Sequence, residues 1–222
     1  MTVHRPAAGG GRWIDVAPER LARWLAEFDA RHGVTRSVYT PELARFEAAD
    51  GAVAECHPPF PPLPEAGEHP GVVPDPLLAH ACRERVVGVL LVRLGGHAAG
   101  VFEGDRLVAA RVGSRLVHGR HSAGGWSQQR FARRRAGQAR VAARAAADDA
   151  ARLLVPALPG LEAVVLGGDR RAVEPVRADP RLAGVFALAV DRFVATREPR
   201  RAVLEQAAAQ FLAVRVRLII AW

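Results

Sequence analysis

Residues 121–135 read HSAGGWSQQRFARRR. Gly124 and Gly125 allow backbone conformations and close approaches that a Cβ would forbid. Ser127 is a suitable cap for the helix that the next residues predict. A capped start leaves several N–H groups pointing outward at the positive end of that helix. Gln128 and Gln129 are not acids, bases or nucleophiles at ordinary pH, but a primary amide donates and accepts at once. Such a group can hold water against an electrophile without titrating. Neighbouring backbone N–H groups can stabilise a developing oxyanion or a leaving alkoxide. Glycine and serine alone describe a plain flexible connection equally well. What favours chemistry is position, because the loop runs directly into the most basic helix of the chain.

The charge around that loop has one sign. No acidic residue occurs between Asp105 and Asp148, while Arg106, Arg111, Arg115, Arg120, Arg130, Arg133, Arg134, Arg135, Arg140 and Arg144 do. His118 and His121 add groups that charge as pH falls. A one-signed cluster repels itself unless an anion relieves it, and arginine forks suit phosphate. The whole chain carries a formal charge of +8 over 222 residues. A nucleic-acid partner is the first expectation, with no membrane partner. Aromatic residues are sparse here, only Trp126 and Phe131, so a stacking platform for single strands is not indicated in this segment. The chain contains no lysine. A GC-rich coding bias accounts for that choice of arginine, but not for the excess of positive charge.

Other chemistries fit less well. Cys56-His57 and His80-x-Cys82 lack the usual zinc spacing. Gly167-Gly168-Asp169 lacks the lysine and spacing of a phosphate loop. No cluster of strand-borne carboxylates suggests a metal-dependent nuclease, and no serine or cysteine nucleophile motif is present. No metal and no cofactor are expected. Two cysteines give no disulfide framework, and both read as buried or idle. The N-terminus has no signal pattern and no run approaches a membrane span. The expectation is a soluble, cytoplasmic protein acting as a monomer.

The elements that must position the loop follow from apolar periodicity. Residues 17–33 form a helix with Leu21, Trp24, Leu25 and Phe28 on one face and Gly33 as a stop. A second helix is predicted to start at Thr40-Pro41. The proline-rich stretch 56–76 is read as an extended surface arm. Residues 85–94, 97–104 and 106–119 form three strands with short turns, an antiparallel meander. A long helix runs from about Gln128 to Leu154. Strands follow at 161–169 and 185–190, with helical connections and a closing helix after Pro199. The fold class is α/β: a mixed five-stranded sheet, meander first, then crossover helices, in the order of ribonuclease H-like folds. The predicted division is an N-terminal helical and proline-rich extension, 1–80, and a catalytic domain, 81–222.

Gly124-Gly125-Trp126-Ser127-Gln128-Gln129-Arg130-Phe131 resembles the Gly-Gly-Gln loop region of eukaryotic and archaeal peptide chain release factors. There, two glycines precede glutamine, serine, two variable residues, arginine and phenylalanine. The longer stretch VGVLLVRLGG, AGVFEGDRLVAARVGSRLVHGR and AGGWSQQRFARRR is similar to the actinobacterial branch of the Vms-like release factors. The resemblance spans roughly residues 72–212. It implies a release-factor middle-domain architecture and hydrolysis of peptidyl-tRNA on stalled ribosomes or large subunits. Trp126 stands where terminating release factors carry the catalytic glutamine. In the Vms-like group the glutamine falls later, which points to Gln128, with Gln129 as the alternative. Gly124 and Gly125 would let the loop enter the ribosomal site, and Trp126 and Ser127 would support it. Arg120, Arg130, Arg133, Arg134, Arg135, Arg140 and Arg144 would bind ribosomal RNA or tRNA. A non-catalytic RNA-binding module, and a hydrolase acting on free peptidyl-tRNA, are the alternatives.

Overall fold

The computed structural model describes residues 5–6, 10–114 and 127–220, with side chains for 10–114 and 136–220. The chain separates into two compact units: residues 1–83 with 209–222, and residues 84–208.

The first unit is built on a seven-stranded antiparallel sheet. Its strands are β1 (Arg5–Pro6), β2 (Arg12–Val16), β3 (Val34–Tyr39), β4 (Ala44–Ala48), β5 (Val53–His57), β6 (Gly67–Pro70) and β12 (Val214–Ile219). They lie in the order β1-β2-β12-β5-β4-β3-β6. Period-two alternation turns Ile14, Val16, Phe46, Ala54, Cys56, Val214, Val216 and Leu218 to one face. That face shares its core with helix α1 (Pro18–His32) through Leu21, Leu25 and Phe28, and with α2 (Asp75–Ala81) through Leu77 and Ala81. Gly33 ends α1 in the left-handed region at φ 68°, and its N–H donates to the Asp29 carbonyl at 2.7 Å. The opposite face of the sheet carries cross-strand ion pairs, Arg36 with Glu47 at 2.7 Å and Arg217 with Glu55 at 3.3 Å.

This unit corrects several expectations. The expected helix after Thr40-Pro41 is strand β4. The Thr40 hydroxyl instead accepts from the N–H groups of Glu42 and Leu43 and turns the chain into it. The proline-rich stretch is more than a surface arm. It begins inside β5, where Cys56 is fully buried, and sends Leu63 into the core. Only Gly67–Pro70 lies at the sheet edge, where a proline costs no ladder bond. The division at residue 80 lies close to the boundary at 83. However, residues 209–222 belong with the first unit, because β12 pairs with β2 and β5 there.

The second unit holds β7 (Val86–Arg93), β8 (Gly96–Glu103), β9 (Arg106–Ser114), helix α3 (Ser127–Ala157), β10 (Ala163–Gly168), α4 (Arg170–Arg177), α5 (Ala183–Ala187), β11 (Ala189–Val194), α6 (Arg201–Glu205) and the start of α7 (Ala207–Phe211). The five strands lie in the order β11-β10-β7-β8-β9. β7, β8 and β9 form the expected antiparallel meander, and β10 runs parallel to β7 and to β11. This is the mixed five-stranded architecture that the element order predicts. One strand is displaced from its expected place. Residues 185–190 split between α5 and the start of β11, and Val185 and Phe186 are buried from a helix.

α3 packs on the sheet through small side chains. Ala142, Ala146, Ala147 and Ala150 are buried, and Leu154 is fully buried, worth about 2 kcal/mol by its area. Ala139 and Ala145 are only half-buried. An alanine stripe lets the helix axis approach the strands closely while giving little hydrophobic gain per residue. Among the described side chains of α3, the buried ones begin at Ala142.

Candidate functional site

α3 is 31 residues long, about 46 Å at 1.5 Å per residue. Among the described side chains, the first buried one is Ala142. Residues 136–141 are exposed or half-buried, and Val141 is 61 % exposed. The backbone of Ser127, Gln128 and Gln129 forms the first turn of this helix, followed by Arg130, Arg133, Arg134 and Arg135. Ser127 is thus the first helical residue. The side chains of 127–135 lie outside the described residues, as do Arg120, Gly124, Gly125 and Trp126 altogether.

Of the expected RNA-binding arginines, Arg140 and Arg144 are described, and both are exposed. They sit one turn apart on α3, at i and i+4. Two carboxylates end the acid-free interval, and each has another partner. Asp148 accepts from Arg181 at 2.7 Å. That bond holds the Asp148 carboxyl below its usual range, opposed by partial desolvation and helped by Arg181, Arg144 and Arg152 at a distance. Arg181 also clasps Asp179 at 2.7 Å, and its bond lowers that carboxyl too.

Asp149 faces the other way, into the sheet. It accepts from His97 Nε2 at 2.9 Å, with Arg111 at 3.8 Å and Arg152 at 3.7 Å around its second oxygen. His97 is on β8 and only 4 % exposed. It fits there because Gly113 stands opposite it on β9. A Cβ on Gly113 would fall 2.4 Å from His97 Cε1. Sequence reasoning missed this pair. The signal was a histidine inside an otherwise apolar strand, matched to the first acids after a long basic interval.

With both terminal acids turned to other partners, the positive field of the first half of α3 keeps its sign. A helix whose sequence begins Ser-Gln-Gln and runs into arginines can hold polyanions along its side.

The remaining sequence candidates belong to the first unit. Cys56 is buried and Cys82 exposed, and both are free thiols. His80 Nε2 approaches the Pro59 and Phe60 carbonyls at 3.2 and 3.1 Å. Among the described residues, no group of three or more histidines, cysteines and acids is placed to hold a metal ion. Nor is any described helix long and apolar enough to cross a membrane.

Comparison with curated proteins found no match. Among solved structures, the archaeal translation termination factor aRF1 superposes with a TM-score of 0.39 at 14 % identity, covering 89 % of this chain and 73 % of that one. The Vms1 mitochondrial localization core gives 0.40 at 10 % identity, covering 92 % of this chain and 82 % of that one. Pelota of Archaeoglobus fulgidus gives 0.30 at 10 % identity, covering 95 % and 66 %. These likenesses are too distant to carry residue roles. A family match is more specific: residues 85–217 fit the family described as Actinobacteria/chloroflexi VLRF1 release factor. That span takes in the five-stranded sheet, α3 and most of β12, and the chain belongs to this family of release factors.

Proposed function

We propose that the protein hydrolyses the ester of peptidyl-tRNA and so releases nascent chains from stalled ribosomes or large subunits. The observation that carries this reading is the junction at the start of α3. In a release-factor chain, a Gly-Gly-Trp-Ser-Gln-Gln segment runs into a helix whose described residues 136–141 are not buried. The arginines of α3 would hold ribosomal or tRNA phosphates. Gly124 and Gly125 would let the loop enter a crowded RNA site. Gln128 would orient the attacking water through its amide, with Gln129 as the alternative. Loop N–H groups would stabilise the tetrahedral intermediate or the departing ribose oxygen. RNA would complete the site, so the isolated protein is a poor hydrolase in this reading.

The test is release of peptide from peptidyl-tRNA on isolated large subunits. Wild-type protein is expected to release peptide there and to do little on free peptidyl-tRNA. Gln128→Ala is expected to slow release by about 100-fold, the scale of a lost water-positioning or oxyanion contact. Wild-type rates in both Gln128→Ala and Gln129→Ala would remove the glutamine role.

The acid-free interval supports a second reading, a non-catalytic module that binds RNA through the same helix. Under it, the Arg133→Ala/Arg134→Ala double variant binds ribosomes more weakly and with a shallower salt dependence, while glutamine variants match wild type in every assay.

A further inference from the structure

A second arginine site stands at the opposite edge of the five-stranded sheet from β9. β11 is the edge strand there. Its pairing with β10 steps from Val164↔Ala189 to Leu166↔Phe193, so Val165 alone lies opposite Val190, Asp191 and Arg192. This bulge opens a cleft of about 280 Å³ between β11 and α4. Bulges re-aim side chains out of a ladder, and here they place Asp191 and Arg192 on the cleft wall.

Two guanidiniums on α4 are backed by aromatic rings. Arg170 Cζ lies 4.4 Å from the Phe193 ring centroid, and Arg177 Cζ lies 4.7 Å from that of Phe186. Their i, i+7 spacing puts both on one face of α4. A guanidinium held by its flat face keeps its N–H edge for another partner. Arg177 has a carboxylate neighbour, Glu174, at 3.7 Å. Both arginines are exposed. Arg170 therefore offers an outer face for stacking and an edge for phosphate. Asp191, also exposed, adds an acceptor that suits a hydroxyl donor.

We propose that this cleft binds one unpaired nucleotide of an RNA strand. Its base stacks on the outer face of Arg170, its phosphate meets the Arg170 and Arg177 edges, and its ribose 2′-hydroxyl donates to Asp191. The site is a second RNA contact, separate in the fold from the start of α3, and it does not depend on any hydrolytic step.

The experiment is fluorescence anisotropy with a short labelled single-stranded RNA and the DNA of the same sequence, using the full chain. It is run in wild-type and Arg133→Ala/Arg134→Ala backgrounds, so that binding by α3 is separated. Adding Arg170→Ala/Arg177→Ala is expected to weaken RNA binding about tenfold, the scale of one lost base stack. Asp191→Ala, which removes the acceptor, is expected to narrow the preference for RNA over DNA. Arg170→Lys/Arg177→Lys, which keeps charge without the planar fork, is expected to bind more weakly than the parent, and it decides the matter if the alanine variant melts early. Unchanged binding in the folded alanine variant in both backgrounds overturns the site. Lysine variants equal to the parent overturn the stacked geometry, and an unchanged RNA-to-DNA ratio in Asp191→Ala overturns the hydroxyl contact. No ribosome and no ester is present, so failure here leaves the release reading standing, and failure of release leaves this site standing.

Discussion

His97 Nε2 donates to Asp149 Oδ2 across 2.9 Å, and this bond ties the middle strand of the meander to the helix that begins at Ser127. The histidine side chain is 5 % exposed and the aspartate 23 %, so the bond sits where an unmade partner is costly. Gly113 is the third member, since a Cβ there would meet the His97 ring. His97→Ala is expected to cost about 1–3 kcal/mol, the scale of a buried polar group left without its bond. Gly113→Ala is expected to cost a similar amount by overpacking. In the His97→Ala background the Gly113→Ala penalty should largely vanish, which a urea-denaturation cycle measures. Additive penalties would show that Gly113 is required for something other than the ring.

Gly137 has the opposite character. It lies inside α3, five residues before the first buried alanine, and a Cβ there would meet nothing within 4 Å. Glycine in a helix interior costs about 0.5–1 kcal/mol relative to alanine. Gly137→Ala is expected to stabilise the protein by about that amount and to raise its melting temperature. A fall in melting temperature would mean that the position is not an ordinary helical one.

Arg181 makes stability depend on acid. Its bonds lower the Asp148 and Asp179 carboxyls in the folded chain from an ordinary value of 3.8. A carboxyl lowered on folding adds stability above its unfolded pKa and loses it as pH falls through its folded pKa, because the unfolded chain then binds more protons. Arg181→Ala is therefore expected to flatten the loss of stability below about pH 4, read from melting temperatures across a pH series. High salt should shrink the difference, since Arg181 is exposed and both carboxylates still reach solvent. An equally steep pH profile in the variant would assign the acid sensitivity to other carboxylates.

The two thiols should separate cleanly. Cys56 is fully buried between strands, and burial pushes its thiol pKa up. Cys82 is exposed, with its Sγ 3.8 Å from the Pro18 carbonyl. A thiol-labelling reagent is expected to modify Cys82 rapidly in the native protein, and both cysteines only after denaturation. Native labelling of Cys56 at a comparable rate would mean that the first sheet opens readily.

The second unit was the more legible part of the chain. β7 and β8 are long apolar runs separated by glycine turns, and α3 is a long stretch of strong helix formers. Its displaced strand has a plain cause: Val185 and Phe186 are buried just as strand residues would be, and a short apolar run does not declare its period. The first unit hid its strands because they are short and carry arginine and glutamate at alternate positions. Arg36 pairs with Glu47 across neighbouring strands, and that pairing shows only once the strands are side by side. In Val214-Arg215-Val216-Arg217-Leu218 the alternation was visible, but its partners lie far away in sequence. Gln128 and Gln129 were singled out by residue type and family likeness. His97 and Asp149, in contrast, come together only through the register of β8 and the packing of α3.

The placement of β12 sets an order of assembly. It fills the gap between β2 and β5, so the sheet of the first unit is a host into which residues 84–208 are inserted. Arg217 meets Glu55 across 162 positions of sequence, and closing so long a loop is slow compared with local pairing. During synthesis, the inserted unit has its entire sequence before the host receives its missing strand. The release-factor unit can therefore mature first, while the host waits with β2 and β5 unjoined until residues 214–219 emerge from the ribosome.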